Sequence, residues 1–233
     1  MINSILSNES FGISISILFY IFGNFLYKKY KSPFFNPLLI SIICIILIIK
    51  IFKIPLEFYQ NGAKHISLFL APSTVMLAVP LYKNIHILKK HFFPIIMGCT
   101  VGSIVSVGYV LILCKFLNIK KEILISMLPK SVTTPIAAEI TRISHGTIPV
   151  TVAAVVITGI LGALMLEHIL KLFRIKNRIA VGVAFGTAAH AVGTSKAVEI
   201  GEIEGAMSGL SIAISGIITV LIMPIAIYIY ALL

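Results

Sequence analysis

Residues 186–199 read GTAAHAVGTSKAVE and lie between long apolar segments of the chain. They contain a histidine, a lysine, a carboxylate, three hydroxyl side chains and two glycines. Residues 128–135, LPKSVTTP, place a second lysine and three more hydroxyls among apolar neighbours. In a soluble protein both stretches would be polar loops. The rest of the sequence predicts instead that they lie inside a membrane.

The composition is that of a membrane protein. Of the 233 residues, 58% are hydrophobic and 12% are charged, and the mean hydropathy is +1.06. Soluble domains contain about 25% charged residues, and several apolar runs here reach the roughly twenty residues of a spanning helix. The net charge is +11. The basic residues cluster between apolar runs, as in cytoplasmic loops that face anionic lipid, and lack the interleaved aromatics of a nucleic-acid-binding face.

The ionisable residues disfavour metal chemistry. All eight acidic residues are Glu, so Asp-based metal and sodium sites are not expected, and we predict neither a metal nor a cofactor. Cys44, Cys99 and Cys114 lie in or at the ends of apolar runs without paired spacing. This pattern is typical of buried free thiols.

Enzymatic activity is not expected either. Lys130 and Ser131 could suggest a serine–lysine dyad, and His190 with Ser195 a base and a nucleophile. Adjacent side chains on a helix point about 100° apart, however, so Lys130 is poorly placed to activate Ser131. The sequence also contains no GxSxG or HExxH motif.

We predict an all-α, polytopic fold with discontinuous or re-entrant helices, in a single transmembrane domain over residues 1–233. Residues 1–60 are expected to form spanning helices, and residues 61–233 a core with interrupted helices near 66–82, 123–140 and 179–199. The first span is expected to be retained, because no cleavable leader precedes it, and the lysines that follow it place the N-terminus outside. Helix breaks are expected at Pro72, Pro129, Pro135, Gly186 and Gly193.

The order of segments indicates an internal repeat. An interrupted segment, a full span and a basic loop follow each other three times, starting near Pro72, Pro129 and Gly186, at a period of about 57 residues. Chance alignment of apolar residues is the alternative to the inverted repeats of transporters. If segment 123–140 crosses the membrane, the basic loops 83–91 and 171–178 lie on opposite faces. If it turns back, both lie inside, which the distribution of positive charge favours.

The polar interruptions predict a binding site for a small organic anion. A lysine in mid-bilayer costs roughly 2.5–3.5 kcal/mol, so Lys130 and Lys196 need an explanation. Either Lys130 lies at an interface and Lys196 pairs with Glu199, or both face a cavity and bind an anion. Broken helices also expose free backbone amides, and glycine allows a ligand to approach the backbone. The predicted substrate-binding residues are Lys130, Ser131, Thr133, Thr134, Thr187, His190, Gly193, Thr194, Ser195 and Lys196.

Three ionisable side chains are candidates for proton coupling: His190, Glu139 and Glu199. A lone histidine is also a common structural hydrogen-bonding group, and that alternative stays open for His190. If the helix continues through it, His190 shares a face with Thr187 and Thr194.

Four sequence blocks resemble the LrgB/CidB family: residues 71–82, 128–137, 186–199 and 204–206. The resemblance covers nearly the whole chain. It implies a multi-pass protein of the bacterial inner membrane with a smaller LrgA/CidA-like partner, and we expect a homo-oligomer, in the simplest case a dimer. The family is named for holin-like or antiholin-like regulation of murein hydrolases and cell lysis. Relatives are also linked to transport of small monocarboxylates: pyruvate in bacteria, glycolate and glycerate in plastids.

The chain departs from the family pattern at three positions. Ala189 stands where serine is usual, Lys196 where arginine is common, and Thr147 in place of a frequent glycine. Loss of the arginine fork affects how a carboxylate would be bound. We therefore expect transport of a small monocarboxylate, with lysis regulation by an oligomerising, holin-like or antiholin-like protein as the alternative.

Overall fold

The structure, a computed structural model, describes residues 8–30, 35–69, 72, 75, 82, 83 and 85–232. Within these residues it contains helices and turns but no strand, which confirms the predicted all-α class. The helices are α1 Glu9–Tyr30, α2 Pro37–Ile51, α3 Leu56–Ser67, α4 Ile85–Lys90, α5 Phe92–Phe116, α6 Lys121–Met127, α7 Thr134–Ile143, α8 Ile148–Leu172, α9 Arg178–Ile200 and α10 Glu202–Leu232.

Four of these helices, α1, α5, α8 and α10, are long and apolar enough to cross a membrane. A polytopic membrane protein is thereby confirmed. The chain divides into two compact units, Met1–Met76 and Leu77–Leu233. The predicted interrupted segment near 66–82, with its break at Pro72, lies largely outside the described residues.

The first unit contains α1–α3. Gly12 on α1 and Gly62 on α3 lie against each other's backbone, with no space for a methyl group. Glu9 accepts from Lys64 at 2.9 Å and from His65 at 2.8 Å, and these ion pairs join the start of α1 to the end of α3. Close backbone packing between small residues is typical of membrane helices.

In the second unit, residues 121–143 form a re-entrant hairpin, here called the first hairpin. Its arms are α6 and α7, and residues 128–133 form the turn between them. Thr147, just after the second arm, donates its hydroxyl to Glu122 at 2.6 Å and its amide to Ser126 at 2.7 Å, both on the first arm. The hairpin therefore begins and ends on the same side, called face A. Pro135 stands in the first turn of α7, where its missing amide costs little.

Helix α9 is a second re-entrant hairpin, residues 178–200. It reverses at His190, whose φ of 39° and ψ of −128° are not helical. Gly193 on the returning arm lies against the carbonyl of Phe185, which would be two turns away in a straight helix. Lys196 on that arm pairs with Glu167, near the end of α8. This hairpin begins and ends on the opposite side, called face B.

The expected breaks at Gly186 and Gly193 are thus not where the chain reverses. Both glycines have helical neighbours, and both serve close packing: Gly186 lies against the carbonyl of Ser208 on α10, and Gly193 against the first arm. The reversal falls between them, at a non-glycine residue. The sequence predicted that these glycines allow the backbone to turn. In the structure they allow close packing, because they have no side chain.

The two hairpins belong to an inverted repeat. Helices α5 and α8 each have 25 residues and start 56 residues apart, and the hairpins that follow each have 23 residues and start 57 apart. Both long helices end in the same cap: the amides of Ile119 and Ile175 donate to Cys114 and Leu170, each at 2.9 Å, next to left-handed residues. Internal repetition is therefore present in the described residues. A copy starting near Pro72 lies outside them.

The hairpins settle the arrangement of the basic loops. Helix α5 runs from face B to face A, the first hairpin returns the chain to face A, and α8 leads back to face B. His91, before α5, and Asn177, before α9, line the same cleft. The described ends of the two basic segments, at His91 and Asn177, therefore lie on one face, as the turned-back alternative predicted.

Candidate functional site

A cleft of about 840 Å³ lies in the second unit. It runs from His91 and Asn177 at face B to Ser106 in the middle of α5. Helices α5, α8 and α9 form its walls, and the turn of the first hairpin, with Lys130 and Ser131, forms its inner end. Its volume is in the range of small-molecule sites.

Lys130 is the charged group at the inner end of this cleft. Its Nζ donates to the hydroxyls of Ser106 and Ser131, each at 3.3 Å, and these two hydroxyls are 2.6 Å apart. The eight Glu residues all lie in the described ranges, and none pairs with Lys130 within 4.0 Å. Among the described residues the partners of the lysine are hydroxyls, and its positive charge is available to an anion in the cleft.

The tip of the second hairpin meets this site from the other side. Thr187 lines the cleft beside Gly102 of α5, where a methyl group on the glycine would lie 2.5 Å from the threonine Cγ2. The Thr187 hydroxyl donates to Val183 at 2.7 Å and, more weakly, contacts Cys99 at 3.8 Å. The cleft is therefore closed at its inner end by both hairpin tips.

His190 lies behind the cleft lining rather than in it. Its side chain is 4% exposed, and Nε2 is 3.1 Å from the carbonyl oxygen of Val155 on α8. Because a carbonyl can only accept, Nε2 carries a proton and donates. The ring packs on Gly159. His190 therefore makes a structural hydrogen bond to α8, and this bond holds the residue at which the second hairpin reverses.

Among the predicted substrate-binding residues, the structure brings Lys130, Ser131 and Thr187 together in the cleft. Thr133 and Thr134 lie at the start of α7 and are not among the residues that line the cleft. The rest of the predicted set, Gly193, Thr194, Ser195 and Lys196, lies on the returning arm of the second hairpin and does not line the cleft.

On that arm the polar groups have partners within the protein. Thr194 bonds to Ser208 at 2.7 Å, and Ser195 donates to the carbonyl of Ala191 at 3.2 Å. Lys196 pairs with Glu167 at 3.1 Å and with Glu199 at 3.0 Å. The alternative pairing of Lys196 with Glu199 is therefore what the structure contains.

The other acidic candidate for proton coupling is also paired. Glu139 accepts from Arg142 at 2.6 and 2.9 Å on the exposed side of α7. Neither Glu139 nor Glu199 lines the cleft. Proton coupling through these groups stays a prediction.

Sequence reasoning missed five polar residues that line the cleft: His91, Ser106, Tyr109, Thr158 and Asn177. Ser106 could have been found as a hydroxyl in the middle of a spanning helix. Asn177 precedes an apolar run, which is a helix-start signal, and it accepts from the amides of Ile179 and Ala180 at 3.0 and 3.1 Å. Its second role, at the mouth of the cleft, has no local sequence signal.

Metal ligation finds no support in the described ranges, where no group of three His, Cys, Asp or Glu side chains comes together. Cys99 and Cys114 are buried free thiols, and Cys44 is a half-buried one. Among the described lining residues, the cleft has one ammonium group, several hydroxyls, an imidazole and an amide at its mouth, and an apolar wall. Such a site suits a small anion with an uncharged remainder.

Known proteins are similar to this chain over almost its whole length. The sequence profile of the LrgB-like family matches residues 16–229. Proteins named antiholin-like protein LrgB from Bacillus mycoides (strain KBAB4), Bacillus cereus (strain B4264) and Bacillus anthracis (strain CDC 684 / NRRL 3495) are each 38% identical over 215 residues, covering 92% of this chain and 94% of the relative. No solved structure matches. This multi-pass membrane protein belongs to the LrgB-like family.

Proposed function

We propose that the chain transports a small organic monocarboxylate, of the size of pyruvate, lactate or glycolate, and binds it at Lys130. The observation that carries the proposal is the lysine itself. It lies deep between two broken helices, it faces a cleft, and it has hydroxyl partners but no carboxylate among the described residues. An ammonium group in such a place is costly unless it has a counter-ion, and a substrate carboxylate would be one.

The partners around Lys130 match a carboxylate. An ammonium donates three hydrogens, and Ser106 and Ser131 accept two of them at 3.3 Å. A carboxylate in the cleft would take the third and could accept from a hydroxyl released from the 2.6 Å pair. The apolar wall, which includes Val105 and Val183, suits a short carbon chain.

The second candidate is an antiholin-like function, and the relatives favour it. Proteins 38% identical to this chain are named antiholin-like, whereas none of these names mentions transport. Under this candidate the chain regulates murein hydrolase activity and cell lysis through assembly, with copies of itself or with a smaller LrgA/CidA-like protein. The two candidates are compatible if transport is how the protein influences lysis.

We further propose the bacterial inner membrane as the location, with face B in the cytoplasm. The loops of face B carry seven basic residues: Lys83, Lys89, Lys90, Lys171, Arg174, Lys176 and Arg178. The ends of helices at face A carry four: Lys115, Lys120, Lys121 and Arg142. An excess of basic residues favours the cytoplasmic side.

Uptake into proteoliposomes tests the transport proposal. Labelled pyruvate, lactate and glycolate would be offered to the wild type, to Lys130→Gln and to Lys121→Gln, an exposed lysine at the start of the same hairpin. We expect uptake by the wild type and Lys121→Gln, and loss in Lys130→Gln, because the charge-assisted bond to the carboxylate is gone. Equal uptake by both variants, or none above empty liposomes by the wild type, contradicts the proposal.

A lysis assay tests whether the second candidate function, regulation of lysis by assembly, is independent of the cleft. The same variants would be expressed in a bacterial host whose lysis is followed by turbidity. If the protein acts only by assembly, Lys130→Gln should alter lysis as the wild type does, since Lys130 faces the cleft and not the lipid. A lysis effect that disappears with Lys130→Gln ties lysis to the cleft.

A further inference from the structure

The inverted repeat relates face B of the second unit, where the cleft opens, to face A, where no cleft has been described. Positions in α5 correspond to positions 56 residues later in α8, and positions in the first hairpin to positions 57 later in the second. Because the two copies cross in opposite directions, each feature at face B has a counterpart at face A. At face B these positions border a cleft, whereas at face A they are in contact.

A hydrogen-bonded cluster closes face A. Thr147 bonds to Glu122 through its hydroxyl at 2.6 Å and to Ser126 through its amide at 2.7 Å. Ser126 is fully buried, and below it Thr151 bonds to Thr141 at 2.8 Å, also without exposure. The contact between the first hairpin and the start of α8 is therefore polar from its partly exposed rim, at Glu122 and Thr147, to its buried part, at Ser126, Thr141 and Thr151.

The counterparts of this cluster all border the observed cleft. Thr147 corresponds to His91, Ser126 to Val183 and Glu122 to Ile179, and each of these three residues lines the cleft at face B. The same three positions are thus hydrogen-bonded in one copy of the repeat, whereas in the other copy they line the cleft. Lys130 corresponds to Thr187, and both lie at the inner end of the cleft.

We infer that face A holds a second access cleft to the Lys130 site, closed in this structure, and that a small organic anion reaches Lys130 through it when Thr147 separates from Glu122 and Ser126. The inference rests on the proposed transport function for the identity of the ligand. It explains why the contact is built from hydroxyls, a carboxylate and a backbone amide: these groups exchange their partners for water when the cleft opens. Inverted repeats that exchange conformations open a shared site first to one side and then to the other.

Cysteine labelling tests this second cleft. In a chain whose Cys44, Cys99 and Cys114 are replaced by alanine, three single-cysteine variants would be compared: Ser126→Cys in the inferred cleft, Val183→Cys in the observed cleft, and Leu124→Cys. Leu124 is the matched control, because it lies on the same arm as Ser126 and is equally buried, but it faces the core of α5 and α10 side chains. A membrane-impermeant maleimide would be added to spheroplasts and to inverted vesicles.

We expect Val183→Cys to react from one side only, and Ser126→Cys to react from the other. Ser126→Cys should react about 10- to 1,000-fold more slowly than Val183→Cys, since a minor conformation is typically populated at 0.1–10%. Leu124→Cys should stay unlabelled from both sides. Reaction of Ser126→Cys no faster than Leu124→Cys overturns the inference, because local unfolding would expose both. So does reaction of Ser126→Cys and Val183→Cys from the same side, or of neither.

The labelling experiment tests the second cleft and the uptake experiment tests the proposed transport function, so the two proposals can fail separately. If Ser126→Cys reacts from its own side but no monocarboxylate is taken up, the second cleft stands and the proposed substrate class is wrong. If uptake occurs and Ser126→Cys never reacts, transport stands and the anion does not enter through this contact. Retention of uptake by the cysteine-free chain shows that its fold is intact.

Discussion

Replacing Gly159 on α8 by alanine should disrupt the reversal of the second hairpin. A Cβ at this position would lie 2.6 Å from Cε1 and 3.0 Å from Nε2 of His190. Carbon atoms pack at about 3.5–4.0 Å, so the ring would have to move by about 1 Å. His190 has no free space, since it is 4% exposed, and its movement would weaken the 3.1 Å bond to Val155.

The matched substitution is Gly108→Ala on α5, where a Cβ would have no neighbour within 4 Å. Both substitutions gain the same helix propensity of about 0.8–1.0 kcal/mol, so their difference isolates the contact with His190. Overpacking costs about 1–3 kcal/mol and a lost hydrogen bond about 0.5–1.5 kcal/mol. Gly159→Ala should therefore be less stable than Gly108→Ala by about 1.5–4.5 kcal/mol.

The measurement is the free energy of unfolding in mixed detergent and SDS micelles, repeated in a His190→Ala background. Removal of the ring should abolish most of the cost of Gly159→Ala, and only the contact with Val192, at 3.1 Å from the new methyl, would remain. Equal stability of the two glycine variants would refute the reasoning. So would an unchanged cost of Gly159→Ala when His190 is alanine.

Three further predictions follow from the polar contacts. Lys196→Gln should keep wild-type uptake of labelled pyruvate in proteoliposomes, because Lys196 pairs with Glu167 and Glu199 outside the cleft; strong loss of uptake would restore its predicted role in binding. Thr194→Val should lower the free energy of unfolding by about 1–3 kcal/mol, because the buried Ser208 hydroxyl loses its 2.7 Å partner, and adding Ser208→Ala should recover part of that loss. Lys130→Gln should abolish uptake and should also raise the free energy of unfolding by about 1–3 kcal/mol, because a lysine in mid-bilayer destabilises the fold. If the variant is less stable than the wild type, Lys130 stabilises the fold, which contradicts the prediction.

Much of the fold could be predicted from the sequence because a membrane leaves few alternatives. Long apolar runs predicted the spanning helices. The order of segments indicated the repeat, with chance alignment as the alternative, and the distribution of basic residues favoured the turned-back segment over a full crossing. Pro129 and Pro135 marked the first turn, since proline removes an amide from a helix. The second turn lies at His190 and not at the predicted glycines. A glycine that is needed for close packing cannot be distinguished in the sequence from a glycine that is needed for a turn.

The smaller part of the site could be predicted, for a related reason. Lys130 was identified because a charged side chain among apolar residues is costly, and Thr187 was predicted as one of the hydroxyls in the second polar stretch. Lys196 stood out equally, but its carboxylate partner Glu167 lies 29 positions earlier, on another helix. Ser106 and Thr158 were missed because a single hydroxyl in a spanning helix usually bonds to its own backbone.

The asymmetry between the hairpin tips bears on the charge of the substrate. The repeat places Lys130 opposite Thr187, and Thr133 opposite His190, so the formal charge that lines the inner end of the cleft in the described residues comes from one copy alone. A monoanion would neutralise it, whereas a dianion would leave one uncompensated negative charge beside an apolar wall, at a cost of several kcal/mol. Competition with labelled pyruvate in proteoliposomes should therefore be strong for lactate and weak for succinate, which has one carboxylate more. Equal competition by succinate would mean that a second cation, absent from the cleft as described, takes part in binding.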